Sequence, residues 1–184
     1  KAGKLPSSFE SYVGASSGED LTDMSDKAGK DNGAGIAPGQ YSFQNRNRYY
    51  KNYTAENTFL LGYPEVCFNI AEGIHHGWAT GSVEDWYKKG IKASVDFYGI
   101  KDSSNTMVYS KTGGREAADL STFNIDYNFD KYYDQTTVKY SKDGGLEKIL
   151  TQKYLAFFMN SGMEAYFNWR RTGFPKLYTG VGNG

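Results

Sequence analysis

The sequence predicts an all-α fold of helical hairpins separated by long irregular loops. Three observations point that way. Apolar side chains recur at three- and four-residue spacing over residues 63–98 and again over 146–167. Residues suited to helix ends stand where each pattern breaks, with Ser82 before one helix and Gly77, Gly99 and Gly173 each after the end of one. Residues 1–57, by contrast, are rich in Gly, Ser, Asp, Lys and Asn, show little periodicity and hold few aliphatic side chains that could build a core.

In the first hairpin, Tyr63, Val66, Cys67, Ile70, Ala71 and Ile74 share one helical face. Pro64 fits only the first turn, so this helix is expected to start at or close to Tyr63 and to stop at Gly77. Ser82 then caps a second helix, with Glu84 and Asp85 in its first turn. Its buried face is Val83, Tyr87, Ile91, Ser94, Val95 and Tyr98, and Gly99 ends it. Ala71, Gly90 and Ala93 are small enough to let the two helices approach. A hairpin of this size matches a tetratricopeptide-like unit of roughly 34 residues in architecture, without the repeat's full consensus.

The second hairpin occupies residues 145–175. Leu146, Ile149, Leu150, Tyr154, Phe157 and Phe158 form its first apolar stripe, and Glu147, Lys148, Gln152 and Lys153 fall toward water. Ser161-Gly162 makes the turn, after which Met163, Tyr166 and Phe167 restart an apolar face. Arg170 and Arg171 sit in the last turn, at the carbonyl end of the helix, and Pro175 prevents continuation. Paired guanidinium groups can read carboxylates or phosphates. With Glu65 and Glu72 on a neighbouring helix, the expectation is instead that one Arg closes a partly buried ion pair locking the hairpins together.

The rest is less regular. Residues 101–143 are mixed, with a short helix expected near 130–135 and an extended run over 136–140. Residues 1–57 are too long for an ordinary loop. They are read as a separate loop-rich segment, either a functional, ligand-facing excursion or the remnant of something whose packing partner lies outside this chain, with 58–184 as the helical part of a larger domain.

Composition narrows the function classes. The 184 residues carry 21 basic and 21 acidic side chains, a net charge of zero that gives no electrostatic case for nucleic acid. No apolar run is long enough to cross a bilayer, and the first residues lack a signal-peptide apolar region, so any export signal is expected to be already removed. Cys67 is the only cysteine and lies on an apolar face, as a small core residue would.

Both hairpins carry a resemblance. Tyr63-x-Glu65-Val66-x-Phe68-x-x-Ala71-Glu72, Gly90-Ile91-x-Ala93-Ser94 and Tyr98-Gly99 come first. Leu146-x-x-Ile149-Leu150-Thr151-Gln152-Lys153-Tyr154, Glu164-Ala165 and Trp169-Arg170-Arg171-Thr172-Gly173-Phe174-Pro175 follow. In that order and spacing they resemble the C-terminal half of a SusD/RagB-type protein over residues 58–177. The resemblance implies an outer-membrane lipoprotein with a helical, tetratricopeptide-containing core. Such a protein captures glycans, less often peptides, as a lid on a SusC-like TonB-dependent transporter, with no cofactor and no catalysis. The family's lipid-carrying cysteine, first repeats and last segment have no counterpart here, so the chain is expected to be a piece that needs its other half. Pro64 also departs from the helix-favouring residue usual in the Tyr-x-Glu motif.

Ligand sites in that family lie on variable loops, so the candidate site rests on chemistry. Residues 41–53 interleave rings with amides and guanidinium groups, and Tyr41, Asn47, Arg48, Tyr49 and Tyr50 are the candidate glycan-binding residues. A ring stacks on the apolar face of a sugar while planar amide and guanidinium groups bond its hydroxyls. The same rings could equally anchor a long loop onto the helices. Trp78 could stack a ligand or plug the end of its hairpin, and Trp86 and Trp169 are expected in the core.

Other chemistries find little support. His75 and His76 are adjacent on a helix and point about 100° apart, unsuited to sharing a metal. Asp20, Asp23, Asp26 and Asp31 lack EF-hand spacing and read as a solvated acidic loop. No pair of carboxylates is evidently held across a cleft as a glycosidase needs, and no catalytic triad is apparent. A tetratricopeptide-like scaffold that binds peptide in its groove is the alternative function.

Overall fold

The computed structural model describes residues 19–27, 44–54, 56–57, 60–110 and 120–177. The chain divides into two compact units. One takes in Lys1–Asn57, Ser103–Tyr127 and Tyr178–Gly184, the other Thr58–Asp102 and Asn128–Leu177.

The second unit is helical. Helix α3 (Tyr63–His75) begins at Gly62 with Pro64 in its first turn, and α4 (Val83–Phe97) begins at Ser82, whose Oγ accepts from the Asp85 N–H at 3.2 Å. They form the expected hairpin, and α3 also packs on α6 (Gly145–Ala156). Cys67, Phe68, Ala71, Tyr87, Ile91, Ile149 and Leu150 make the core. Being covered from two sides rotates the buried face of α3. Phe68, which lay off the predicted stripe, is fully buried, whereas Val66, Ile70 and Ile74 are only half-buried. Gly90 permits the approach, since a Cβ there would stand 2.6 Å from the Phe68 ring.

The short helix expected near 130–135 is present as α5 (Phe129–Tyr133), but the expected extended run over 136–140 is a turn at residues 136–138 followed by a bend at 139. Their backbone curls because its polar groups find partners at short range. Val138 and Lys139 N–H both donate to the Gln135 carbonyl, and Lys148 Nζ donates to the carbonyls of Thr136 and Lys139 at 2.9 and 2.6 Å. The Tyr87 hydroxyl donates to the Val138 carbonyl at 2.7 Å, tying this turn to α4.

Helix α6 corrects the predicted stripe. Ile149, Leu150 and Phe157 are buried as expected, but so are Gln152 and Lys153, while Tyr154 and Phe158 are exposed. Both buried polar side chains are satisfied. Lys153 Nζ donates to Asn69 Oδ1 at 2.7 Å and Asn168 Oδ1 at 3.1 Å, and Gln152 Oε1 accepts from the Tyr132 hydroxyl at 3.0 Å. Burial holds the Lys153 amine below its ordinary pKa and the Glu65 carboxyl above its own. The Tyr98 hydroxyl donates to the carbonyls of Ala156 and Phe158, satisfying the end of α6. Helix α7 (Glu164–Thr172) ends at Gly173 as predicted, yet none of its residues is buried: Tyr166 and Phe167 lie exposed, as does Met163 just before it. Trp86 and Trp169, expected in the core, are half-buried.

In the first unit, α1 (Leu21–Lys27) replaces part of the expected acidic loop. Asp20 Oδ1 accepts from the Thr22 N–H at 2.7 Å, a contact that holds its carboxyl below the usual carboxylate range. Asp31 lies outside the described residues. The mixed stretch of the sequence holds two strands, β1 (Ser104–Ser110) and β2 (Leu120–Asp126), which pair antiparallel, from Ser104 opposite Asp126 to Ser110 opposite Leu120. Their alternation is too weak to announce a strand alone, and each is stabilised by the other. Helix α2 (Arg46–Tyr49) lies against β1.

Candidate functional site

The loop of residues 44–56 is built from local contacts. The Asn45 carbonyl accepts from the N–H groups of Arg48 and Tyr49, closing the single turn of α2. Asn52 Oδ1 accepts from the N–H of Thr54 at 3.0 Å and from its hydroxyl at 3.2 Å, an Asx turn that presents Tyr53 between them. Arg48 closes the loop, donating through Nη2 to Glu56 Oε1 at 2.6 Å with both side chains largely buried. Its guanidinium lies 5.9 Å from the centre of the Tyr49 ring.

Two rings face water here. Tyr50 is 52 % exposed, its hydroxyl 3.3 Å from Gln44 Oε1, and Tyr53 is fully exposed. Of the five candidate residues, the side chains of Arg48, Tyr49 and Tyr50 are described, and Arg48 and Tyr49 are in contact with each other. Arg48 fastens the loop through Glu56. Asn47 lies in α2, with its side chain outside the description, and Tyr41 lies outside the described residues. Tyr53 was in the cluster read from sequence but not among the chosen residues. The Asn52-x-Thr54 pattern was the signal that could have selected it, because an Asx turn lifts its middle residue off the surface.

The helical unit holds a second concave feature, a cleft of 560 Å³ between the start of α3, the side of α4 and the end of α6. Pro64, Phe97 and Phe157 give it apolar walls, with Glu65, Lys89, Lys92 and Asp96 as its charged groups. That volume is typical of small-ligand sites. Among the described residues, no three of His, Cys, Asp or Glu gather as metal ligands, and no helix is long and apolar enough to cross a membrane. His75 Nδ1 instead faces the Tyr140 hydroxyl at 3.1 Å.

The family profile described as "Starch-binding associating with outer membrane" matches residues 9–184. The chain belongs to the SusD-like family. Solved structures agree. A SusD homolog from Bacteroides fragilis is 29% identical, with a TM-score of 0.60 over 92% of this chain and 33% of that one. A Bacteroides vulgatus outer-membrane protein, proposed to take part in nutrient binding, is 26% identical, with a TM-score of 0.54 over 74% of this chain and 28% of that one. A second Bacteroides fragilis SusD homolog is 27% identical, with a TM-score of 0.50 over 70% and 26%. This SusD-like chain thus spans a third or less of the length of these relatives. No curated protein matches it.

Proposed function

We propose that this chain is part of a non-catalytic glycan-binding protein that captures oligo- or polysaccharide at the outer membrane for a SusC-like TonB-dependent transporter. The loop of residues 44–56 carries this reading, because it holds two exposed tyrosines on a short, internally bonded frame. A pyranose ring presents a face of C–H groups, which stack on Tyr50 and Tyr53, while its hydroxyls bond to the phenol groups and to neighbouring amides. The Arg48–Glu56 bond holds the loop in shape before the sugar arrives, which lowers the ordering cost of binding. In this reading Tyr41 and Asn47 also contribute to binding the sugar, through ring stacking and amide hydrogen bonds. No bond is made or broken and no cofactor is used. A lipid anchor and much of the ligand surface come from parts of the protein outside these residues.

The test is retention of the complete gene product in gels containing amylopectin, arabinoxylan, galactomannan or pectin. The unaltered protein is expected to be slowed by at least one polymer, and Tyr50→Ala with Tyr53→Ala to weaken that binding about tenfold. No retention of the unaltered protein on any of the four polymers would reject capture, and equal retention of the variant would reject this loop as the site.

The 560 Å³ apolar cleft favours one second reading, capture of a peptide whose apolar side chain enters between α3 and α4. Binding of an unstructured peptide without binding of any glycan would place that reading first.

A further inference from the structure

We infer that Trp78, stacked on His76 just beyond the end of α3, is a second sugar-stacking platform that takes the apolar face of a pyranose. The inference rests on the glycan-capture reading above but uses different residues.

The backbone fixes where this ring stands. Gly77 adopts φ 76° and its N–H donates to the Ile74 carbonyl at 2.9 Å. The Trp78 N–H reaches back to the Gly73 carbonyl, also at 2.9 Å. These two bonds close the helix end in a way that leaves the next side chain no freedom of backbone direction. The ring is then held by His76, 4.5 Å between centres and inclined by 23°. Despite this support Trp78 remains 75 % exposed, so within its own unit it does not plug the hairpin. Residues 79–82, which follow it, are small and exposed, and leave the rest of the indole open.

One polar group suited to a sugar hydroxyl, the exposed His76 imidazole, belongs to the same ring pair. Its Nε2 lies 4.0 Å from Oε1 of Glu72, a buried carboxylate that Arg171 holds in place. A fixed, exposed indole with an exposed imidazole beside it is the chemistry that recognises a pyranose: the indole takes the C–H face and the His76 ring bonds a hydroxyl at the edge. Because the indole is already oriented, stacking on it sacrifices little side-chain freedom.

The complete gene product, probed with the same four polymers, tests this. On a polymer that retains the unaltered protein, Trp78→Ala is expected to weaken binding about tenfold and Trp78→Phe by much less, with melting temperatures unchanged. Tryptophan emission of the unaltered protein should become less quenchable by acrylamide when that polymer is added, and the protection should vanish in Trp78→Phe. Trp78→Ala binding as the unaltered protein does, while the Tyr50 and Tyr53 variant fails, would overturn the platform and leave the capture reading standing. An indole already shielded from acrylamide before any glycan is added would also overturn it. Failure of the unaltered protein on all four polymers would overturn both.

Discussion

Arg171 grips Glu72 with both arms of its guanidinium, Nη1 to Oε1 at 2.5 Å and Nη2 to Oε2 at 3.1 Å. The two residues are 99 positions apart, and the pair joins the last turn of α7 to the middle of α3. Glu72 is only 5 % exposed, so the carboxylate depends on this partner, although His76 also stands near it. Arg171 is half-exposed, which discounts the ion pair for solvent screening. Arg171→Ala should therefore destabilise the chain by about 1–2 kcal/mol. Arg170→Ala, at an exposed position, should stay within about 0.5 kcal/mol. Urea unfolding of both variants checks this, and equal losses would contradict the assignment of the lock to Arg171.

Gly90 offers a sharper test of packing. Alanine ordinarily stabilises a helix over glycine by about 1 kcal/mol. Here its methyl would collide with the Phe68 ring at 2.6 Å, and overpacking costs about 1–3 kcal/mol. Gly90→Ala should lower the melting temperature, and adding Phe68→Leu should recover part of the loss. A rise in melting temperature on Gly90→Ala would mean that α3 and α4 do not approach so closely.

His75 makes stability depend on pH. Burial is the main cause that lowers its pKa below 6.5, helped by His76 and Lys142 and opposed by Glu72. The folded state therefore favours the neutral ring. Its contribution is present above the unfolded-state pKa and is lost as pH falls through the lower, folded one. Denaturant midpoints should drop between pH 7 and pH 5, and His75→Gln, which keeps a polar partner for the Tyr140 hydroxyl, should flatten that part of the profile. An unchanged slope in the variant would assign the dependence to other groups.

The second hairpin leaves an apolar face in water. Leu155, Phe158, Met159, Met163, Tyr166 and Phe167 are all exposed along α6, the turn after it and α7. Such a run of large side chains is a liability for the isolated chain. The 184-residue chain should bind the dye ANS strongly. Phe158→Ser with Phe167→Ser should reduce dye binding and raise solubility, while each changes stability by about 0.5 kcal/mol or less. Unaltered dye binding in the double variant would place the sticky surface elsewhere.

What the sequence determined alone lies within a few residues of itself. Ser82 caps α4, Gly77, Gly99 and Gly173 take positive φ at helix ends, Pro64 sets the first turn of α3, and Cys67 is buried. Each depends on chemistry one turn away, so spacing and residue type suffice. The ring-and-amide character of residues 41–53 was legible for the same reason. Tertiary structure alone decided what depends on distant partners. Phe68 is buried where Val66 was expected because α3 has neighbours on two sides. Lys153 leaves water because Asn69, 84 residues away, bonds its amine, and residues 136–140 curl because Lys148 and Tyr87 collect their carbonyls. The β1–β2 hairpin needed both strands present at once. At the candidate site, composition named Arg48 and Tyr50, but only the folded loop distinguished the arginine bonded to Glu56 from the exposed tyrosines, since exposure is set by what packs nearby and not by residue type.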